Sequence, residues 1–190
     1  MNYKITNPVK GTVPYPTNGR EFGANRPNRK HKGIDIPVPS GSNIIAPADG
    51  TVVNAENLDK NACGGFIKIK HEQDGASFYT KYCHMKVIKV NKGDKVKTGQ
   101  VIGLSGGGKN DPHRGSSTGP HLHFEIVDIA GNAYNPWPYL NKGSTPPTID
   151  TPKESPIDMD MIKDLIDPKE LSKSLNPFNS LGVYRGLFSK

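Results

Sequence analysis

Two histidines stand two positions apart in the run Gly119-Pro120-His121-Leu122-His123-Phe124-Glu125-Ile126. In an extended strand, residues i and i+2 point to the same face. His121 and His123 would therefore look into one space, while Leu122 and Phe124 turn to the other side. Two imidazoles on one face can share a metal ion, or can form a polar pair with no chemistry. Three more residues could join them. His31 and Asp35 lie four apart in His31-Lys32-Gly33-Ile34-Asp35-Ile36-Pro37, and His84 follows Tyr82-Cys83. A spacing of four suits one face of a helix. Gly33, the β-branched Ile34 and Ile36, and Pro37 argue instead for a loop running into a strand. Fully extended, the Cα atoms of His31 and Asp35 would lie roughly 13 Å apart. Donor atoms on one zinc lie at most about 4 Å apart. If both residues bind one metal, the backbone must bend between them, and Gly33 is where it could.

A catalytic zinc takes three protein ligands of His or carboxylate type and keeps a position open for water. It lowers the pKa of that water to about 7 and polarises a carbonyl. His31, Asp35, His84, His121 and His123 exceed the need for three ligands. The surplus is what hydrolysis requires, namely a general base for the water and a donor for the oxyanion. The two other histidines, His71 and His113, are expected to be structural or rim residues. His113 falls in a long loop bordering the cleft, where it could touch substrate.

The elements that must position these groups are short strands. The chain has 190 residues, with 21 Gly and 17 Pro, a composition that suits a turn-rich all-β fold. Residues 1–30 read as irregular, broken by Pro8, Gly11, Pro14, Pro16, Gly19, Gly23 and Pro27. From residue 43 strand and turn alternate, with strands expected at 43–46, 50–55, 66–71, 77–84, 87–90, 96–104 and 122–127. Asp74-Gly75 marks a hairpin turn. Residues 105–120 form a Gly/Ser-rich loop too long to be idle. No helix of any length is expected in 1–142. The resulting fold class is all-β, followed by a short, partly helical tail. At Gly143 the composition shifts. Residues 1–142 read as the domain, 143–156 as a Pro/Thr-rich linker, and 157–190 as a tail with a short helix near 157–166. The tail is either solvated decoration or a docking segment for a larger assembly.

The formal charge is +7 over the chain, and residues 143–190 carry 6 basic and 7 acidic residues, so the excess belongs to 1–142. Such a surface favours a polyanion, but no helix-turn-helix or aromatic-interleaved basic patch points to nucleic acid. No apolar run is long enough to span a membrane. The N-terminus lacks a basic region followed by an apolar core, so no secretory signal is expected. Cys63 and Cys83 flank a hairpin and could lie near each other. Two cysteines do not make a disulfide framework, so reduced, half-buried thiols are the expectation.

Several separated stretches resemble the lysostaphin-type zinc endopeptidases, the M23 family of peptidoglycan hydrolases. Phe22-Gly23-Ala24-Asn25-Arg26 is similar to that family's FGxR stretch, and His31-Lys32-Gly33-Ile34-Asp35 to its HxxxD motif. Pro47-Ala48-Asp49-Gly50-Thr51-Val52 is similar to its following strand turn, and Tyr82-Cys83-His84-Met85 stands where the family has YxHL. Lys92-Gly93-Asp94-Lys95-Val96-Lys97-Thr98-Gly99-Gln100-Val101-Ile102-Gly103 resembles its Gly-rich hairpin. Ser117-Thr118-Gly119-Pro120-His121-Leu122-His123-Phe124-Glu125 resembles its HxH signature. Order and approximate spacing fit over about residues 20–140. Met85 in place of Leu is a small departure.

The resemblance implies that His31, Asp35 and His123 bind one zinc, and that His121 and His84 are the non-ligand catalytic histidines. It leaves open which is base and which is oxyanion donor. It implies a mostly antiparallel sheet with a groove holding one zinc, and a zinc metalloendopeptidase that cleaves amide bonds in peptidoglycan stems or cross-links. Without a leader, a wall-binding module or an N-terminal coiled coil, the pattern suits a phage lysin or tail-associated enzyme acting at the bacterial wall. Residues 143–190 could then dock to other virion or tail proteins. Two rivals stand beside this reading. Residues 90–104 also resemble one hairpin of a biotinyl or lipoyl carrier, but no second half with a modifiable lysine follows. A virion structural protein that keeps the fold with little activity is the other.

Overall fold

The computed structural model describes residues 3–58 and 61–140. The expected domain boundary at 142, the linker 143–156 and the tail 157–190 with its helix lie outside the described residues. The described residues form twelve strands: β1 (Asn25–Arg26), β2 (Arg29–Lys30), β3 (Ile34–Ile36), β4 (Asn43–Ile45), β5 (Gly50–Asn57) and β6 (Gly65–Gln73), then β7 (Ala76–Cys83), β8 (Met85–Ile88), β9 (Lys95–Val96), β10 (Val101–Ser105), β11 (Leu122–Asp128) and β12 (Ala133–Tyr134). One 3-10 turn, Trp137–Tyr139, is the only helical element among the described residues, and none is long and apolar enough to cross a membrane. The expected all-β class is borne out.

All pairing is antiparallel. The large sheet runs β12-β11-β7-β6-β5-β9, with β3 also on β11; a smaller sheet runs β4-β10-β8; β1 and β2 form a separate ribbon. Alternation explains how the sheet faces divide. On β6 Ile67, Ile69 and His71 are buried, while Phe66, Lys68 and Lys70 are only half-buried. On β7 Phe78, Thr80 and Tyr82 take the core face. On β11 Leu122, Phe124 and Ile126 continue that face, and they share one apolar cluster with Ile44, Met85 and Ile102 of the small sheet. Burying each such side chain stabilises the fold by roughly 1.5–3 kcal/mol. The opposite face of β11 carries His123 and Glu125. A strand packed on both faces reads as continuously buried, and β11 is buried throughout.

The core face also carries a directional polar chain. The Tyr82 hydroxyl lies 2.8 Å from Thr80 Oγ1, which lies 2.7 Å from His71 Nε2, and His71 Nδ1–H donates to the Asp49 carbonyl at 2.8 Å. His71 is structural, as expected.

The expected β6–β7 hairpin is present, with Gln73 opposite Ala76 and positive φ at both Asp74 (50°) and Gly75 (77°). That is the backbone a two-residue primed turn requires. Three expectations change. The N-terminal segment is irregular but not loose, since Tyr3, Ile5, Val9 and Val13 join the core and β1–β2 forms a ribbon. Two-residue strands show no periodicity to read. The expected strand 96–104 is two strands in different sheets, because a turn with Gly99 at φ 81° lets β9 pair with β5 and β10 sit between β4 and β8. Finally, Cys63 and Cys83 form a disulfide with Cα atoms 4.9 Å apart, not two reduced thiols. Chain reversal through the β5–β6 connection brings Cys63 beside the end of β7, a proximity that spacing alone does not reveal.

Candidate metal centre

Strand register assembles the site. On β11, His123 pairs with Asp35 of β3 on one side and with Cys83 of β7 on the other. Directly opposed residues share a face. β3 is held by Ile34 and Ile36 packing in the core, opposite Phe124 and Leu122. This apolar pairing turns Asp35 toward the same face as His123. The backbone bends at Gly33 between His31 and Asp35, as the distance argument required. A Cβ on Gly33 would overlap the Phe124 carbonyl oxygen. His31 is then carried to the site by the ribbon's continuation, with His31 N–H on the Ala24 carbonyl (2.9 Å) and Gly23 N–H on the His31 carbonyl (2.9 Å).

The three inner atoms are close together. Asp35 Oδ1 lies 3.1 Å from His31 Nε2 and 2.9 Å from His123 Nδ1, and the two nitrogens are 3.0 Å apart. Neighbouring ligands on a tetrahedron with bonds of about 2.0 Å are about 3.3 Å apart. The outer atoms decide what the inner ones can do. His31 Nδ1–H donates to the Glu21 carbonyl at 2.8 Å, and His123 Nε2–H to the Glu125 carboxylate at 2.8 Å. Those acceptors fix the tautomers, so both inner nitrogens present lone pairs. Arg26 takes the other Asp35 oxygen, Oδ2, at 2.8 Å and leaves Oδ1 facing inward. Three converging lone-pair atoms in a buried place call for a cation between them. His31, Asp35 and His123 therefore fit a single metal ion, and the two-imidazole, one-carboxylate donor set suits zinc.

The buried charges also shift one another. Burial would raise the Asp35 carboxyl, but His123 and His31 against it hold it well below the usual carboxylate range. Burial would lower His123, yet Asp35 and Glu125 outweigh it and raise it. Burial also works against ionised Glu125, and His123 and Lys81 still keep its carboxyl low.

His121 and His84 stand beside the cage. His121 Nε2 is 3.6 Å from Asp35 Oδ1, and the His84 ring centroid lies 4.7 Å from that of His121. Their outer nitrogens are also committed: His121 Nδ1–H donates to the Gly119 carbonyl and His84 Nδ1–H to the Arg114 carbonyl, both at 2.8 Å. Each leaves Nε2 with a lone pair. Burial, then the neighbouring His121 and His123, pushes His84 down to about 4. Burial lowers His121 as well. Both rings are neutral at neutral pH.

All five expected residues thus meet. His84 does come from the strand next to β11, but it lies just past the end of β7, with φ at 62°. That left-handed residue breaks the alternation. The register places Cys83 on the His123 face. Its sulfur is tied to Cys63, so it offers no thiolate. His113 stays out of the cluster, and its carbonyl accepts Gly65 N–H at 2.7 Å. The 105–120 loop is not idle, since it supplies the carbonyls that orient His84 and His121, with Ser117 Oγ 3.2 Å from His121 Nδ1. Sequence reasoning gave no role to Glu125, Arg26 or these carbonyls. Glu125 was within reach, because it continues the i, i+2 series from His121 and His123. Nothing in the spacing of Arg26 announces its partner.

Residues 29–136, more than half of the chain, match peptidase family M23. The chain belongs to that family. This M23 chain is 34% identical over 145 residues to the peptidoglycan DD-endopeptidase ShyA of Vibrio cholerae, covering 76% of itself and 29% of ShyA. It resembles the catalytic domain of the antimicrobial peptidase lysostaphin from Staphylococcus simulans, at 31% identity and TM-score 0.51, over 73% of this chain and 92% of that one. The catalytic domain of the prophage-encoded M23 protein EnpA from Enterococcus faecalis is 31% identical with TM-score 0.50, over 64% of this chain and 93% of that one. The M23 chain spans about a quarter of the length of ShyA and other curated relatives that it matches.

Proposed function

We propose that this M23 domain is a zinc-dependent endopeptidase that hydrolyses amide bonds in the peptide stems or cross-links of peptidoglycan. His31, Asp35 and His123 are its zinc ligands, and His84 and His121 its catalytic histidines. The observation that carries this reading is the pair of neutral imidazoles beside a three-ligand cage, each with Nδ1 committed and Nε2 free. Zinc bound in the cage supplies Lewis-acid polarisation of the scissile carbonyl and a water of lowered pKa. The chain's own residues do the rest. One of the two Nε2 atoms accepts the proton of the attacking water. The ring that gains a proton becomes a donor and can return it to the departing amine. The other ring lies beside it, and it can donate to the developing oxyanion once its own Nε2 has taken up a proton. The carbonyls of Gly119 and Arg114 hold a proton on each Nδ1 and so keep each Nε2 available as a base.

Likeness to ShyA supports a DD cross-link as the bond cleaved, and digestion of defined peptidoglycans with mass analysis of the fragments tests it. Asp35→Ala or His123→Ala should remove both zinc and activity. His84→Ala or His121→Ala should retain one zinc per chain and lower turnover roughly 10²–10⁴-fold. Near wild-type turnover in either histidine variant would refute the role given to it. A zymogram without clearing in the presence of zinc would favour the alternative, a virion structural protein that keeps the fold.

Likeness to EnpA supports a further reading, a phage lysin or tail-associated enzyme brought to the wall by the particle, with residues 143–190 docking to virion proteins. ShyA is a bacterial protein, so delivery by phage rests on the EnpA likeness. Recovery of the chain in purified particles tests it, and deletion of 143–190 should then leave soluble activity intact while abolishing incorporation.

A further inference from the structure

The Cys63–Cys83 disulfide lies next to His84, which follows the end of β7 and belongs to no strand. His84 follows Cys83 directly and sits at φ 62°, a conformation that an ordinary side chain adopts only when its surroundings impose it. Two contacts impose it. His84 N–H donates to the carbonyl of Cys63 at 2.8 Å, and His84 Nδ1–H to the carbonyl of Arg114 at 2.8 Å. Both acceptors depend on the turn that contains Cys63. Ser116 N–H donates to the Ala62 carbonyl at 3.0 Å, and Gly65 N–H to the His113 carbonyl at 2.7 Å. The two backbones touch so closely that a Cβ on Gly64 would overlap the His113 carbonyl, and one on Gly115 would meet the Ala62 carbonyl and Gly64 N. The disulfide ties this turn covalently to the end of β7, alongside the bond from His84 N–H to the Cys63 carbonyl. Cys83 is buried, whereas Cys63 is half-buried.

We propose that the Cys63–Cys83 disulfide is a positioning element for His84, so that full turnover requires the oxidised form. This rests on the catalytic role proposed for His84. Reduction by a phosphine such as tris(2-carboxyethyl)phosphine breaks the S–S bond and leaves two thiols. The phosphine takes up oxygen from water and is oxidised to its phosphine oxide, and the two protons of that water go to the sulfurs. The turn at 61–64 then loses its tether. The Cys63 carbonyl and, through the 113–116 backbone, the Arg114 carbonyl no longer hold the ring. His31, Asp35 and His123 are held by other elements, so the metal cage stays.

The test compares full-length zinc-loaded protein, oxidised, phosphine-reduced, and as Cys63→Ser/Cys83→Ser, on soluble peptidoglycan fragments. The expected result is a fall in kcat of roughly tenfold to a hundredfold, the size of effect that a misplaced catalytic group produces. KM should change less than about twofold, with zinc kept at one per chain. Wild-type kcat in the serine variant overturns the proposal. So does loss of zinc in parallel with activity. If that variant does not accumulate, titration of the wild-type protein decides: kcat should fall in step with the free-thiol titre, and a constant kcat overturns the idea. The same disulfide is then removed in a His84→Ala background. A residual rate within about twofold of His84→Ala alone is expected, because the disulfide acts through that ring. Multiplying losses would mean that it acts elsewhere. A His84→Ala variant as active as wild type would refute the catalytic role itself, an outcome distinct from a disulfide that proves dispensable.

Discussion

Glu125→Ala should weaken zinc binding without touching a ligand. The Glu125 carboxylate accepts from His123 Nε2 at 2.8 Å and is itself buried, with Lys81 Nζ 3.7 Å away. Removing it leaves the His123 N–H without its acceptor and frees the ring to rotate or to change tautomer. Either change withdraws the Nδ1 lone pair from the cage. Loss of such an outer partner costs about 10–100-fold in metal affinity, or about 1.4–2.7 kcal/mol. The site's burial puts Glu125→Ala toward the upper end, since little water can replace the acceptor. Glu125→Gln keeps an acceptor oxygen but loses the charge that raises His123 basicity, so it should fall near the lower end. Competition against a chelating indicator measures the zinc Kd of each. Wild-type affinity for Glu125→Ala, with the fold intact by circular dichroism, would refute the tautomer argument. A larger loss for Gln than for Ala would refute it too.

Arg26→Met should also weaken zinc binding, by about tenfold, because Asp35 loses the partner at 2.8 Å that fixes which oxygen faces inward; the same competition assay checks it. Gly33→Ala should cost the fold more than about 2 kcal/mol, because its methyl group would overlap the Phe124 carbonyl of the central strand; urea unfolding measures this, and a Tm within 2 °C of wild type (about 0.5 kcal/mol) would contradict it. His71 supplies a pH test away from the metal. Burial lowers its folded pKa below 6.5, so the unfolded chain binds more protons just below pH 6.5. Its contribution to stability is therefore complete above pH 6.5 and is lost as pH falls below it. With metal chelated, wild type should lose stability faster than His71→Gln between pH 6.5 and 5, by up to about 1.4 kcal/mol per pH unit. Parallel slopes would refute the assignment.

Some of this protein is written locally and some is not. Alternation along β6 and β7 reflects burial of one sheet face, a constraint that acts on neighbouring residues, so these strands were legible. So was the Asp74-Gly75 turn, where two positive φ values demand such residues. The short ribbon β1–β2 and the split of 96–104 were not, because two-residue pairings leave no periodic trace.

The sequence by itself determined which groups are available: four imidazoles and a carboxylate in the right order, with His121, His123 and Glu125 on one face. Their convergence is a matter of register. His31 and Asp35 meet His123 across about ninety residues because Ile34 and Ile36 pair with Phe124 and Leu122 in the core. A slip of one residue would turn Asp35 away. Backbone carbonyls carry no sequence identity, so the Glu21, Gly119 and Arg114 acceptors that fix three tautomers belong wholly to the tertiary structure. The Cys63–Cys83 bond belongs there as well, since only the folded path of the β5–β6 connection brings the two sulfurs together.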